Sequence, residues 1–449
     1  MVEVGYTPLE ESQVSPIFSD EEIVQMSERY GTPIFLVNES TLLNRLDALQ
    51  KAYDGFEGCV SIAYSMKANF NPSVLKVFIP KGVLFDVTSL GELYFFTKSG
   101  GLPSSIIYTS VTEEECEFEK ALKEGVRHFV VGSYGGLENL VTAANKTGIE
   151  VNVMIRINPE VAVKAVVRAA YRNSKFGVPF NNGKRDSASS LLKRILAEPR
   201  LNFEGFHFHL GSQIEDSSCY LSTLDKLESF IEKMKRNHPH LSIKVVDIGG
   251  GTPVFYGTPI PSPETMGKIV SKRLNTMAER LGEKFTLIVE SGRFLSAESS
   301  ILVARIVNSK IYADRKFIYV DAGFHLLLDA ALLRQAYPQY VVPRSFDDDL
   351  LKVNLAGRLC DTYDIFPISR ASDLKGAEPG RLIVFQNVGA YSLVFGMPFH
   401  CQTKPPVFMR RLDGGYDMIR PAQKVEDLFR EEGGSFLAYS GGRDSGSSM

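Results

Sequence analysis

Val60-Ser61-Ile62-Ala63-Tyr64-Ser65-Met66-Lys67-Ala68-Asn69 is the stretch on which the fold turns. Residues 60–66 are β-branched and apolar, the texture of a strand buried on both faces. The run stops at Lys67, a charged side chain standing where a strand hands over to a loop. Working outward, short runs of the same texture recur at 83–87, 105–110, 128–131, 151–157, 203–210, 243–248 and 286–290, eight in all. Amphipathic segments such as 113–124 and 220–236 lie between them. Repeated βα units favour an α/β fold whose parallel sheet closes as a TIM-like (β/α)8 barrel. An open doubly wound sheet satisfies the same strand count.

After residue 297 the texture changes. Runs at 301–311, 317–321, 350–355, 382–386, 391–395 and 407–411 are separated by Gly, Pro, Asp and Asn, with one helix-like stretch at 326–336. This predicts a mainly antiparallel β domain. The expected division is an N-terminal segment 1–37 joining the β domain, a barrel over 38–297, the β domain over 298–439 and a mobile Gly/Ser-rich tail over 440–449.

Composition narrows the function. With 449 residues, 44% hydrophobic and 23% charged, the chain is long enough for two packed cores. No run approaches the ~18 apolar residues of a spanning helix, and Met1-Val2-Glu3-Val4-Gly5 has no signal-peptide character. A cytoplasmic protein away from membranes is expected. Five scattered cysteines without CxxC spacing argue against a disulfide framework and against a structural metal. A net charge of −3 with no basic tract leaves no footprint for nucleic acid. Chemistry on a small molecule is the remaining expectation.

Polar residues collect at the ends of the eight runs: Lys67, Asp86, Arg156, His209 with Ser212, Gly249-Gly250-Gly251, and Glu290-Ser291-Gly292-Arg293. Strand ends form the functional face of a barrel, so these residues would meet there. Each also has a plain reading: His209 as a hydrogen-bonded core histidine, the glycines as a tight turn, Glu290 and Arg293 as a surface ion pair. Together they suit an anionic, aromatic, aldehyde-bearing cofactor such as pyridoxal 5'-phosphate. An amine held against an apolar strand end, as at Lys67, is expected to lose its proton easily and condense with the aldehyde. The three glycines would open backbone N–H groups to a phosphate, with Ser212 and Arg293 as further donors. Glu290 would hold a pyridine nitrogen protonated, and His209 would stack on the ring.

Tyr64-Ser65-Met66-Lys67-Ala68-Asn69, Phe85-Asp86-Val87-Thr88-Ser89, Asn173-Ser174-Lys175-Phe176-Gly177, His207-Phe208-His209-Leu210-Gly211-Ser212-Gln213, Asp247-Ile248-Gly249-Gly250-Gly251 and Glu290-Ser291-Gly292-Arg293 stand in one chain. As a set they resemble the signatures of the fold-type III pyridoxal-phosphate-dependent decarboxylases, the diaminopimelate and ornithine decarboxylase family with its alanine-racemase-like barrel. Ser291 departs from the proline usual there. The resemblance implies that Lys67 forms the Schiff base, and that Tyr391 in Gly389-Ala390-Tyr391 touches the phosphate. It also implies a homodimer with composite sites, in which Cys360 of Leu359-Cys360-Asp361 serves the neighbouring subunit as proton donor.

The implied substrate is an amino acid, of the ornithine, lysine or diaminopimelate type or a derivative of one. Asp329 stands near the place of an arginine that grips the distal carboxylate in diaminopimelate decarboxylases, and Asp361 replaces their glutamate. Both departures favour a distal ammonium. Arg334, read as one helical turn beyond Asp329, would reach a carboxylate instead. A racemase of the same fold and a non-catalytic regulatory homologue are the alternatives. Glu290 speaks against the first, and the retention of Lys67 and Cys360 against the second.

Overall fold

The computed structural model describes residues 16–181, 183–343, 352–369 and 374–433. After β1 (Ile34–Asn38), the barrel takes its strands in chain order: β2 (Val60–Ser65), β3 (Leu84–Val87), β4 (Ile106–Tyr108), β5 (His128–Val131) and β6 (Val151–Arg156). A small strand β7 (Ala165–Arg168) intervenes, followed by β8 (Leu201–His207), β9 (Gly211–Ile214), β10 (Val245–Asp247) and β11 (Thr286–Ser291). β2 to β6, β8, β10 and β11 pair in parallel and close on themselves, β11 meeting β2 through Leu287↔Val60 to Ser291↔Tyr64. The open-sheet alternative is thereby excluded, and each of the eight apolar runs overlaps one barrel strand.

Strand burial explains the closure. Ala63, Ile107, Val130, Met154 and Ile288 fill the lumen as one small cluster, while the opposite faces join the large core under the surrounding helices. Both faces are dry, which is why the runs are nearly continuous in apolar residues. One contact is unusually close: a Cβ added at Gly205 in β8 would lie 1.8 Å from the Val245 carbonyl oxygen of β10, so only glycine fits there.

The second sheet uses β1 together with β12 (Ser300–Tyr312), β13 (Arg315–Val320), β14 (Gln339–Val342), β15 (Lys352–Ala356), β16 (Ile365–Phe366), β17 (Leu382–Phe385), β18 (Val407–Arg410) and β19 (Tyr416–Arg420). Its main path runs β16-β15-β13-β12-β1-β18-β19, with β17 joining β12 to β14. Most pairs are antiparallel, but β1–β18 and β13–β15 are parallel, so the sheet is mixed. No helix among the described residues is long and apolar enough to cross a membrane.

Several expectations need correction. The run at 391–395 is a short helix, Ser392–Phe395, because the Tyr391 N–H is bonded to the Ala68 carbonyl at 2.8 Å and not to a strand. The helix read over 326–336 contracts to Leu328–Leu332. It ends when Arg334 takes a left-handed conformation (φ 54°) and the N–H groups of Leu333 and Gln335 both return to the Asp329 carbonyl. The two-stranded antiparallel β7–β9 sheet was not foreseen, since Gly211-Ser212-Gln213-Ile214 reads as loop. Residues 350 and 351 of the expected 350–355 strand, and the tail 440–449, lie outside the described residues.

Candidate active site

Lys67 sits in a 3-10 turn, Met66–Ala68, directly after β2, and Asp86 lies on neighbouring β3. The parallel register places Ser65 opposite Asp86, so the amine beyond Ser65 reaches the carboxylate: Lys67 Nζ is 2.8 Å from Asp86 Oδ2. Asp86 is buried, yet the Lys67 side chain keeps 41% of its exposure although Asp86, Glu290 and Tyr391 ring it, so it lines a hollow. Burial alone would weaken the ammonium, but the Asp86 and Glu290 carboxylates outweigh it and hold Lys67 charged well above its ordinary value. The expected easy loss of the lysine proton is therefore not a property of the free chain. Asp86 Oδ1 has no hydrogen-bond partner among the described residues.

Behind Lys67 lies a second buried group. His207, Asp247 and Glu290, at the ends of β8, β10 and β11, bring ligand atoms within 4.8 Å of one another. Burial would raise the Glu290 carboxyl, but His207, whose Nε2 is 3.3 Å away, together with Lys67 and His209 holds it far below the carboxylate range. Asp247 goes the other way: burial first, then Glu290, push it well above its usual value, against a 2.8 Å bond from the Gly249 N–H to Oδ1. Two neighbouring carboxyls thus move apart, Glu290 toward its charged form and Asp247 toward its neutral one. Arg156 packs its guanidinium 4.6 Å over the Phe176 ring; burial lowers its pKa while Glu290 and Asp86 support its charge. His207 and Asp247 stood inside the quoted motifs but were not assigned a role. Their signal was a polar side chain at the end of a buried parallel strand.

His209 accepts the Gly250 N–H at Nδ1 (3.1 Å), which assigns the proton to Nε2. Burial, then Lys67, depress its pKa to about 3. A folded pKa below the unfolded one means that the unfolded chain binds the extra proton. Stability is thus fully present above about 6.5 and falls as pH drops toward about 3, by up to about 1.4 kcal/mol per pH unit. His209→Asn should flatten that part of a urea-unfolding pH series; an unchanged slope would show that His209 is not the titrating group.

The glycine loop serves somewhat differently from expectation. The N–H groups of Gly249 and Gly250 are taken by Asp247 and His209, so as donors to an outside anion they are already engaged. What the glycines supply is space. A Cβ at Gly249 would meet the Phe208 carbonyl at 2.4 Å, one at Gly250 the Glu290 carbonyl at 2.9 Å, and one at Gly251 (φ 132°) the Ile214 side chain at 2.4 Å.

Gly292 packs on the lysine turn, where a Cβ would meet Ala68 Cβ at 2.7 Å. Arg293 follows and is almost wholly enclosed. Its Nε reaches Ser212 Oγ (3.4 Å), its Nη1 reaches Gln335 Oε1 (3.2 Å) and Tyr256 Oη (3.5 Å), and its guanidinium carbon lies 4.7 Å from the Tyr391 ring centroid. Its remaining nitrogen, Nη2, lies 3.6 Å from Asp329 Oδ2. Asp329 is therefore the buried counter-ion of Arg293, not a free carboxylate waiting for an ammonium. Arg334 is exposed beyond the end of the short helix, so the helical-turn spacing that would aim it at a carboxylate does not exist. Cys360 is exposed; its N–H meets His400 Nδ1 at 3.4 Å, and Asp361 caps the Tyr363 N–H at 2.8 Å. These contacts place both residues in a surface turn of the β domain.

The family model described as "Pyridoxal-dependent decarboxylase, pyridoxal binding domain" matches residues 39–297. The chain is 28% identical over 414 residues to the diaminopimelate decarboxylase of Vibrio cholerae, covering 91% of this chain and 94% of that one. Among solved structures it is similar to diaminopimelate decarboxylase from Helicobacter pylori complexed with L-lysine (TM-score 0.81, 25% identity, 93% and 100% covered). It shares its fold with lysine/ornithine decarboxylase from Vibrio vulnificus complexed with putrescine (TM-score 0.74, 20% identity, 88% and 99% covered).

The residues suit pyridoxal phosphate. Lys67 presents an amine, Asp86 Oδ1 is buried and has no hydrogen-bond partner among the described residues, Glu290 is a buried carboxylate, and His209 is neutral beside them. With a barrel whose strand ends assemble this set and a family model spanning more than half its length, the chain belongs to the pyridoxal-dependent decarboxylases and is an amino-acid decarboxylase that uses pyridoxal 5'-phosphate.

Proposed function

We propose that the protein removes the α-carboxylate of a diamino acid, or of a derivative of one, in a homodimer whose two active sites each borrow Cys360 from the partner. The observation that carries this reading is the Lys67–Asp86 pair standing over a Glu290 carboxylate that is kept ionised although buried. The relatives named for diaminopimelate and the lysine-bound neighbour support the substrate class. All five cysteines are free, as a reducing cytosol would keep them.

Lys67 would supply the amine that holds the cofactor, and Asp86, 2.8 Å away, would take or return a proton at Lys67 Nζ. Arg293 through its Ser212 edge, Ser212 itself, Gly251 and Tyr391 would hold the phosphate end, and Glu290 would face the ring nitrogen. When bound, pyridoxal phosphate supplies an electron sink for the bonding pair left behind as CO2 departs. His209, neutral and fixed by Gly250, offers a flat face without adding charge. The α-carbon then needs one proton in place of the carboxylate, and the exposed Cys360 thiol of the second subunit would give it.

CO2 release by loaded protein across ornithine, lysine and the diaminopimelate stereoisomers, with the amine identified by mass spectrometry, tests the reaction. Cys360→Ala should lower turnover by about 10²-fold or more while the cofactor stays bound. Mixing inactive Lys67→Ala and Cys360→Ala proteins should restore activity, because one hybrid site is then intact. A mixture as dead as its parts would refute sites shared between subunits.

A further inference from the structure

Arg293 and Asp329 leave a corner beside the lysine that carries no net charge and yet is not satisfied. Arg293 already has neighbours at Nε (Ser212), at Nη1 (Tyr256 and Gln335) and, as an ion pair, at Nη2 (Asp329). Around the pair, Gln335 Nε2 is buried and has no hydrogen-bond partner among the described residues, and the buried Tyr337 and Ser392 hydroxyls have none there but each other. They are contiguous: Gln335 Oε1 holds Arg293, the Tyr337 ring meets the Tyr256 ring edge-on at 5.4 Å, and Tyr337 lies within electrostatic reach of Asp329, Arg293 and Ser392. Tyr391 links the corner to the reacting amine, since its ring lies over Arg293 while its N–H is bonded to Ala68, the residue after Lys67.

A free carboxylate entering here would find its natural partner already neutralised. A free ammonium would find Asp329 paired and would have to shed its water beside a guanidinium. An uncharged group with both a donor and an acceptor meets neither obstacle and matches the unpaired amide and the two hydroxyls. We propose that this corner recognises the distal end of the substrate, and that the group it takes is an uncharged amide: an amino acid whose distal nitrogen or carboxyl is already locked in an amide bond. The proposal rests on the decarboxylase reading and adds the chemical class of the side chain. It also implies that an acylating or amidating reaction precedes this one.

The test compares kcat/KM for CO2 release from lysine, ornithine, diaminopimelate, Nε-acetyllysine and Nδ-acetylornithine, alongside calorimetric binding of N-acetylcadaverine and cadaverine to the loaded protein. The amide-ended compounds are expected to lead in both assays by roughly ten- to a hundred-fold. A lead for lysine, ornithine or diaminopimelate would overturn the proposal while leaving the decarboxylase reading intact. If no compound loses CO2, the decarboxylase reading falls, and the amine-binding comparison then decides the subsite separately. Asp329→Asn should release the Arg293 charge and move preference toward diaminopimelate by about ten-fold. Should that protein fail to fold, Gln335→Leu removes one unpaired donor and should weaken only the amide-ended ligand; equal weakening of both would count against the subsite.

Discussion

Lys67→Ala is expected to reduce CO2 release by about 10⁴-fold or more, roughly 5.5 kcal/mol of transition-state stabilisation. The substitution removes the amine that stands among Asp86, Glu290 and Tyr391. It also takes the partner from Asp86, a buried carboxylate whose Oδ1 already lacks one. Lys67→Arg separates these effects. It keeps a cation beside Asp86 and should preserve the fold by circular dichroism, yet it should be as inactive as the alanine variant. Wild-type release from either protein would remove the lysine from the mechanism.

Glu290→Gln should lower kcat by about 10²- to 10³-fold with a much smaller change in KM, because its charge acts on electron withdrawal in the reaction and not on grip of the substrate. His207 and Lys67 lower the pKa of the side chain against burial, so the surroundings favour the anion. Glutamine keeps the shape and discards the charge. Glu290→Asp restores the charge and should recover part of the rate. The absorption spectrum of the bound cofactor should shift in the glutamine protein and not in the aspartate one. Unchanged kcat in Glu290→Gln would mean that the carboxylate is structural only.

The barrel was legible because a parallel strand covered on both faces must be apolar at nearly every position, as in Val60–Ser65 and Thr286–Ser291. The strand-end residues were legible for a related reason: a charged side chain closing such a run has few structural uses. What escaped the sequence depended on approach in space. Asp329 looked like a free selector of ammonium until the fold set it 3.6 Å from Arg293. Lys67 looked like an amine poised to deprotonate, since its apolar strand was visible and the Asp86 contact across two strands was not. The β7–β9 pair was hidden by its brevity and by the exposure of Val166 and Val167.

β1 lies between β12 and β18, with Ile34 opposite Val303 and Phe35 opposite Val407. During synthesis this strand leaves the ribosome before the barrel, and its partners leave after it. The barrel can therefore assemble on the nascent chain while Ile34–Asn38 still waits with both edges open. A ribosome that stalls between the two units would present a finished barrel carrying an unpaired apolar strand, a form that chaperones would hold or proteases remove. The edges of Ile34–Asn38 are thus both covered only once the chain has been made through Arg410.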